Sequence, residues 1–216
     1  TAAILCFAAG VLITLLGILF SRPILTAMHT KEELIEDALL YLRIYLLGMP
    51  ALGVFNFGNA VLSAAGDTKR PLYYLTLAGV INVLMNLFFV IVCHMDVAGV
   101  AVASILAQYF SAVMILVLLL RTKECFGLQF RSLKISSSKL RRILRIGIPS
   151  AFQYAIFAIA NLFVQTGVNS FDHVMVEGNS AASNADPLVY DMMAAFYTVC
   201  SSFIAQNYGA RKRDRI

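Results

Sequence analysis

The sequence predicts an all-α integral membrane protein with six spans, and three observations carry that expectation. Residues 2–20, AAILCFAAGVLITLLGILF, run without a charge. Similar apolar runs recur along the chain, which is 60% hydrophobic and 13% charged, with mean hydropathy +0.79. The basic residues gather on alternate sides of those runs. A helix rises about 1.5 Å per residue, so about 20 apolar residues cross the ~30 Å hydrocarbon core of a bilayer. A soluble domain has no means of burying several helices that are apolar all round.

The first span is expected over about 2–20, closed by Ser21-Arg22-Pro23. A polar stretch with Lys31, Glu32, Glu33, Glu36 and Asp37 follows, and Thr30 with Glu33 reads as a capping box for the next helix. The second span runs to about Ala65, with a kink expected at Pro50 after Gly48. The turn Gly66-Asp67-Thr68-Lys69-Arg70-Pro71 leads to a third span over about 72–93. A short turn, His94–Val97, joins it to a fourth span over about 98–120. A basic polar loop then reaches a fifth span over about 146–169, opened by Gly147-Ile148-Pro149. A polar loop, Ser170–Pro187, precedes the sixth span over about 188–207.

Placing Thr1 in the cytoplasm puts Lys69, Arg70, Arg121, Lys123, Arg131, Lys134, Lys139, Arg141, Arg142, Arg145, Arg211, Lys212, Arg213 and Arg215 on the cytoplasmic side. Of the 17 basic residues only Arg22, Lys31 and Arg43 remain. So lopsided a split sets the orientation. Segments 66–71, 121–145 and 209–216 are expected to be cytoplasmic in a multi-pass protein of the cell (inner) membrane. The net charge of +5 is a topology signal that meets lipid headgroups, and nucleic acid is not an expected partner. The four cysteines, Cys6, Cys93, Cys125 and Cys200, lack metal-ligand spacing and read as small packing residues. No Ser/His/Asp arrangement, phosphate-cradling glycine loop or Walker motif occurs, so neither an enzyme nor an ATPase is expected. His29, His94 and His173 fall at span ends or in a loop.

Polar side chains inside the spans carry the functional information, because each must face other helices or a wet cavity. Gly79, Asn82 and Asn86 share one face of the third span, and Ser104, Gln108 and Ser111 one face of the fourth. Tyr41, Tyr45, Gly48, Asn56, Asn59 and Ser63 form a stripe on the second. The fifth carries Gln153, Asn161, Gln165 and Asn169, and the sixth Tyr190, Tyr197, Thr198, Ser201 and Ser202. Interhelical hydrogen bonding accounts for such residues singly. Stripes on several helices describe a wet cavity for a small-molecule substrate, with Tyr45, Asn56, Asn59, Gln153, Asn161 and Tyr197 as lining. Gly99, Ala103 and Ala107 fit close packing.

The run Leu62-Ser-Ala-Ala-Gly-Asp-Thr-Lys-Arg-Pro71 resembles the "L-x-A-x-G-D-T-K-x-P" stretch of multidrug and toxic compound extrusion (MATE) transporters. Asn82-Val-Leu-Met-Asn86 followed by Val97-Ala-Gly-Val-Ala-Val-Ala-Ser104, then Leu144-Arg-Ile-Gly-Ile-Pro-Ser150, then Gln206-Asn-Tyr-Gly-Ala210, are similar to later segments of that family in the same order. The resemblance implies a twelve-helix, two-lobe transporter of which this chain holds helices three to eight: residues 1–121 from the first lobe, 122–145 a cytoplasmic link, and 146–216 from the second. The rest of such a chain becomes an expected partner, beside the bilayer. The implied activity is antiport of amphipathic or cationic compounds against Na+ or H+, with no cofactor. The implied ion site or proton path is Asn82, Asn86 and Ser104, with Asn86 standing where many members have Asp; the family's first-helix Asp and seventh-helix Glu have no counterpart here. The rival readings are a lipid-linked oligosaccharide flippase, against which stands the single basic residue within the expected spans, Arg43, and a non-transporting scaffold.

The orientation is directly testable. In a background without native cysteines, Ser137→Cys should stay unlabelled by an impermeant thiol reagent applied to intact cells; labelling there reverses the topology.

Overall fold

The computed structural model describes residues 1–27, 32–122, 126–129, 133–168 and 173–216. Thr30, expected as a helix cap, and His29, Lys31, Lys123, Cys125, Arg131 and Asn169 lie outside them, as do the side chains of Glu33, Gln165 and His173. The main elements are helices: α1 (Ala2–Ala27), α2 (Glu32–Leu46), α3 (Met49–Ala64), α4 (Lys69–Leu87), α5 (Asp96–Arg121), α6 (Ser137–Val168) and α7 (His173–Gly209). A π-helical turn, Phe88–Val92, extends α4. Among the described residues five helices are long and apolar enough to cross a membrane, and six spans result if the bent pair α2–α3 is one. The chain divides into two compact units, Thr1–Ser136 and Ser137–Ile216.

Three helices outrun the expected spans. Helix α1 continues through Ser21-Arg22-Pro23 to Ala27, with Pro23 inside it. Hydropathy marks where hydrocarbon ends, not where a helix ends. The extension is tied to α2: Arg43 Nε donates to the buried Ser21 Oγ at 3.3 Å, and Arg22 meets Glu36 at 3.7 Å. Arg43 therefore sits level with the polar end of α1, although sequence alone puts it inside a span. Helix α6 starts at Ser137, so Lys139, Arg141, Arg142 and Arg145 lie on a helix rather than in a loop. Helix α7 starts at His173, so most of the expected loop Ser170–Pro187 is helical; its alanines at 181, 182 and 185 favour that state.

The second span breaks as Pro50 requires. Without an N–H, Pro50 cannot serve the Leu46 carbonyl four residues back, and its ring crowds that carbonyl. Helix α2 ends at Leu46, α3 begins at Met49, and the two halves meet at 43°. The freed carbonyls find donors on other helices. The buried Thr14 hydroxyl of α1 donates to Leu46 O at 2.6 Å, and the Tyr109 hydroxyl of α5 to Leu47 O at 3.0 Å. Close approach of α1 makes this possible: a Cβ at Gly10 would stand 2.7 Å from Met49 O.

The turn after α3 follows its residues. Gly66 takes φ 88°, Asp67 N bonds Leu62 O at 2.9 Å, and Asp67 Oδ1 accepts from Arg70 N at 3.2 Å. Ala51, Phe55 and Leu62 of α3 pack on Ala112, Ile115 and Leu119 of α5 in the core of the first unit. The outer faces stay apolar: Leu72, Leu75, Val83, Leu84 and Leu87 of α4 are exposed, as a bilayer-facing helix would be.

Thr14→Val keeps shape but removes the donor to Leu46 O. It should destabilise the protein by about 1–3 kcal/mol, the cost of a buried unpaired carbonyl, and Thr14→Ser should restore most of that. Thermal unfolding in detergent reads both.

Candidate functional site

Helices α4 and α5 form an antiparallel hairpin whose turn, Cys93–Met95, includes His94 at φ 53°. Close packing comes from small residues on α5. Gly99, Ala103 and Ala107 are all buried, and a Cβ at Gly99 would already be 3.0 Å from Phe89 Cβ. That proximity brings the polar face of each helix onto the other.

Asn82, Asn86 and Ser104 meet there. Asn86 Nδ2 donates to Asn82 Oδ1 at 3.1 Å, Asn82 Nδ2 to Ser104 Oγ at 3.4 Å, and Ser104 Oγ to Val100 O at 3.0 Å. Every hydrogen in this relay points the same way, towards Val100. The acceptor at its head, Asn86 Oδ1, is buried and has no donor. A carbonyl oxygen left unserved in a low-dielectric interior is costly. The trio therefore offers an unserved amide oxygen beside a second amide oxygen and a hydroxyl, all hard donors suited to a small cation or to the proton of a water. The π-helical turn begins two residues after Asn86, and such turns recur at functional sites. The polar spacing gave no sign of it.

The expected cavity residues fall into smaller groups. Tyr45 stacks on Tyr41, with ring centroids 5.9 Å apart and planes 11° from parallel. Asn59 Oδ1 accepts from Ser63 Oγ at 3.4 Å, one turn along α3. Asn56 is exposed. The break at Leu47–Gly48 divides the stripe drawn through these residues between two helices. Gln153 and Asn161 on α6 and Tyr197 on α7 are exposed in the second unit. Gly79, on the same face as the asparagines, has no atom near its missing Cβ. Gln108 shares the polar face of α5 with Ser104, but its amide turns to α2 rather than α4: a methyl on Gly48 would overlap its Oε1, which is itself buried without a donor.

The family model described as MatE matches residues 1–88. A probable multidrug resistance protein, YpnP of Bacillus subtilis strain 168, is 30% identical over 93% of this chain and 44% of its own length. A protein named FAD transporter, of Shewanella oneidensis, is 25% identical over 99% of this chain and 48% of its own. A crystal structure of a MATE protein in a bent conformation superposes with a TM-score of 0.88 at 24% identity, over 99% of this chain and 48% of the other, a likeness of fold. The chain spans a little under half the length of these relatives.

The relay's direction predicts unequal substitutions. Asn86 makes one bond and carries the unserved oxygen, whereas Asn82 is bonded on both sides. Asn86→Leu should therefore cost about 1 kcal/mol less stability than Asn82→Leu, read as thermal unfolding midpoints in detergent.

Proposed function

We propose, from the premise that this chain belongs to the MATE family of multi-pass membrane transporters rather than to any enzyme family, that it forms part of a secondary antiporter. The exported substrates are amphipathic or cationic small molecules, and the coupling ion is Na+ or H+. The observation that carries this reading is the one-directional relay ending at the buried, donorless Asn86 Oδ1. Asparagines that merely tie helices together would satisfy each other; this pair leaves its outermost acceptor for something else.

The trio treats the two candidate ions differently. An amide neither gains nor loses a proton near neutral pH. A proton could pass here only by way of water, while Na+ could be held directly by Asn86 Oδ1, Asn82 Oδ1 and Ser104 Oγ. Coupling then requires the ion to bind one access state more tightly than the other. Moving a population from 1:99 to 99:1 takes a preference of about 10⁴-fold, so a site that senses helix spacing is needed. A site shared between α4 and α5 meets that need, because sliding one helix on the other separates Asn82 from Ser104.

In the full-length protein, Asn82→Ala should lower ion-coupled efflux per folded molecule. Asn86→Asp should keep or strengthen ion dependence by adding a charged ligand. Vesicle transport under opposed Na+ and pH gradients tests this, with an organic cation in one arm and FAD in the other. If Asn82→Ala lowers the thermal midpoint but leaves efflux and its ion dependence intact, the trio only fastens helices.

A further inference from the structure

We propose that Gln108 and the broken end of α2 form a second site for a bare monovalent cation, one turn of α5 from Ser104. Gln108 Oε1 is a second oxygen that, among the described residues, is buried and lacks a donor. It lies against Gly48, where any side chain would displace it, so glycine is what admits the amide to the backbone. The Tyr45 carbonyl, in the last turn of α2, borders the same space: a Cβ on Gly48 would stand 3.2 Å from it. The neighbouring carbonyls of Leu46 and Leu47 each accept one hydroxyl hydrogen, from Thr14 and Tyr109, and each keeps a second lone pair.

Two of the nearby donors are spent and a third is missing. Leu47 N and Gly48 N bond the carbonyls of Ile44 and Tyr45 at 3.0 Å, and Pro50 has no N–H. The one basic side chain on α2, Arg43, is held through its Nε by Ser21 on α1. The carbonyls of Tyr45, Leu46 and Leu47 gather at the negative C-terminal end of α2, although α3 opens at Met49 with its own N-terminus beside them. Discontinuous spans use such ends to hold small cations. The complete burial of Oε1 excludes a bulky organic ammonium and leaves a bare ion; hard oxygen ligands fit Na+.

Ser104 and Gln108 are four residues apart on one helix face, about 6 Å along the axis. The break would be a second station for the cation whose first station is the asparagine trio. In that respect the inference rests on the antiporter reading, although binding is measured separately from transport.

The test uses the full-length protein in detergent and reads the thermal midpoint against NaCl, with choline chloride holding ionic strength constant. Wild type, Asn82→Ala, Gln108→Leu and the double variant are compared. Na+ should raise the wild-type midpoint, each single variant should keep part of the shift, and the double variant should lose it. In the Asn82→Ala background, Gly48→Ala should weaken half-saturation by about tenfold, equivalent to 1.4 kcal/mol. If Gln108→Leu does not fold, Gln108→Glu replaces it and should strengthen Na+ binding. An absent wild-type shift overturns the proposal, as does an unchanged midpoint response in Gln108→Leu or Gln108→Glu. Loss of the whole shift in Asn82→Ala overturns the break site but leaves the trio standing. A shift that survives Asn82→Ala intact and vanishes in Gln108→Leu supports the break site and removes the trio.

Discussion

A span that contains Pro50 must leave a backbone carbonyl unserved in a medium without water, and the first unit is organised around meeting that demand. In hydrocarbon an unpaired carbonyl costs several kcal/mol. Thr14 and Tyr109 reach the break from two different helices, so α1, α2, α3 and α5 are held together at one place. Close packing at Gly10 and Gly58 brings α1 and α5 near enough. The apolar core between α3 and α5 then extends from the break towards the Gly66 turn.

The candidate site follows from the same arrangement. Helix α5 is shared: one part of its polar face meets α4 through Ser104, and the next turn meets the break through Gln108. Both contacts end in a buried oxygen without a donor. Stability alone does not account for two such atoms, one on α4 and one on α5, because Leu in place of either would remove the cost. The proposed path for a small cation or a proton would give them a use.

The parts of this structure that were legible in the sequence are those that local chemistry decides. The break was legible because Pro50 and Gly48 act within one turn of themselves. The tight turn at Gly66 was legible because glycine and aspartate have specific backbone roles. That the polar faces of α4 and α5 meet followed from a short hairpin and helical spacing, but turn counting set Ser104 level with Asn86, whereas its hydrogen bond is to Asn82. The true lengths of α1, α6 and α7 were not legible, because hydropathy reports the bilayer and is silent about polar helix ends. The turn of Gln108 towards Gly48 and the reach of Tyr109 to Leu47 depend on residues about sixty positions apart, which no local pattern records. Neither the π-helical turn after Asn86 nor the direction of the hydrogen-bond relay has a signature in residue type alone.

If Asn86 belongs to the proposed cation path, its face of α4 meets water or ions, whereas the opposite face meets lipid. Thiol reactivity separates these, because the reactive thiolate forms only where water reaches it. In the full-length protein in membranes, with native cysteines replaced, Asn86→Cys and Leu84→Cys would each be treated with a small, charged methanethiosulfonate. Position 86 should react and be protected by Na+, and position 84, whose leucine is 61% exposed on the outer face, should not react. Equal inertness at both positions would show that the asparagines are sealed between helices and that no ion or water path reaches them.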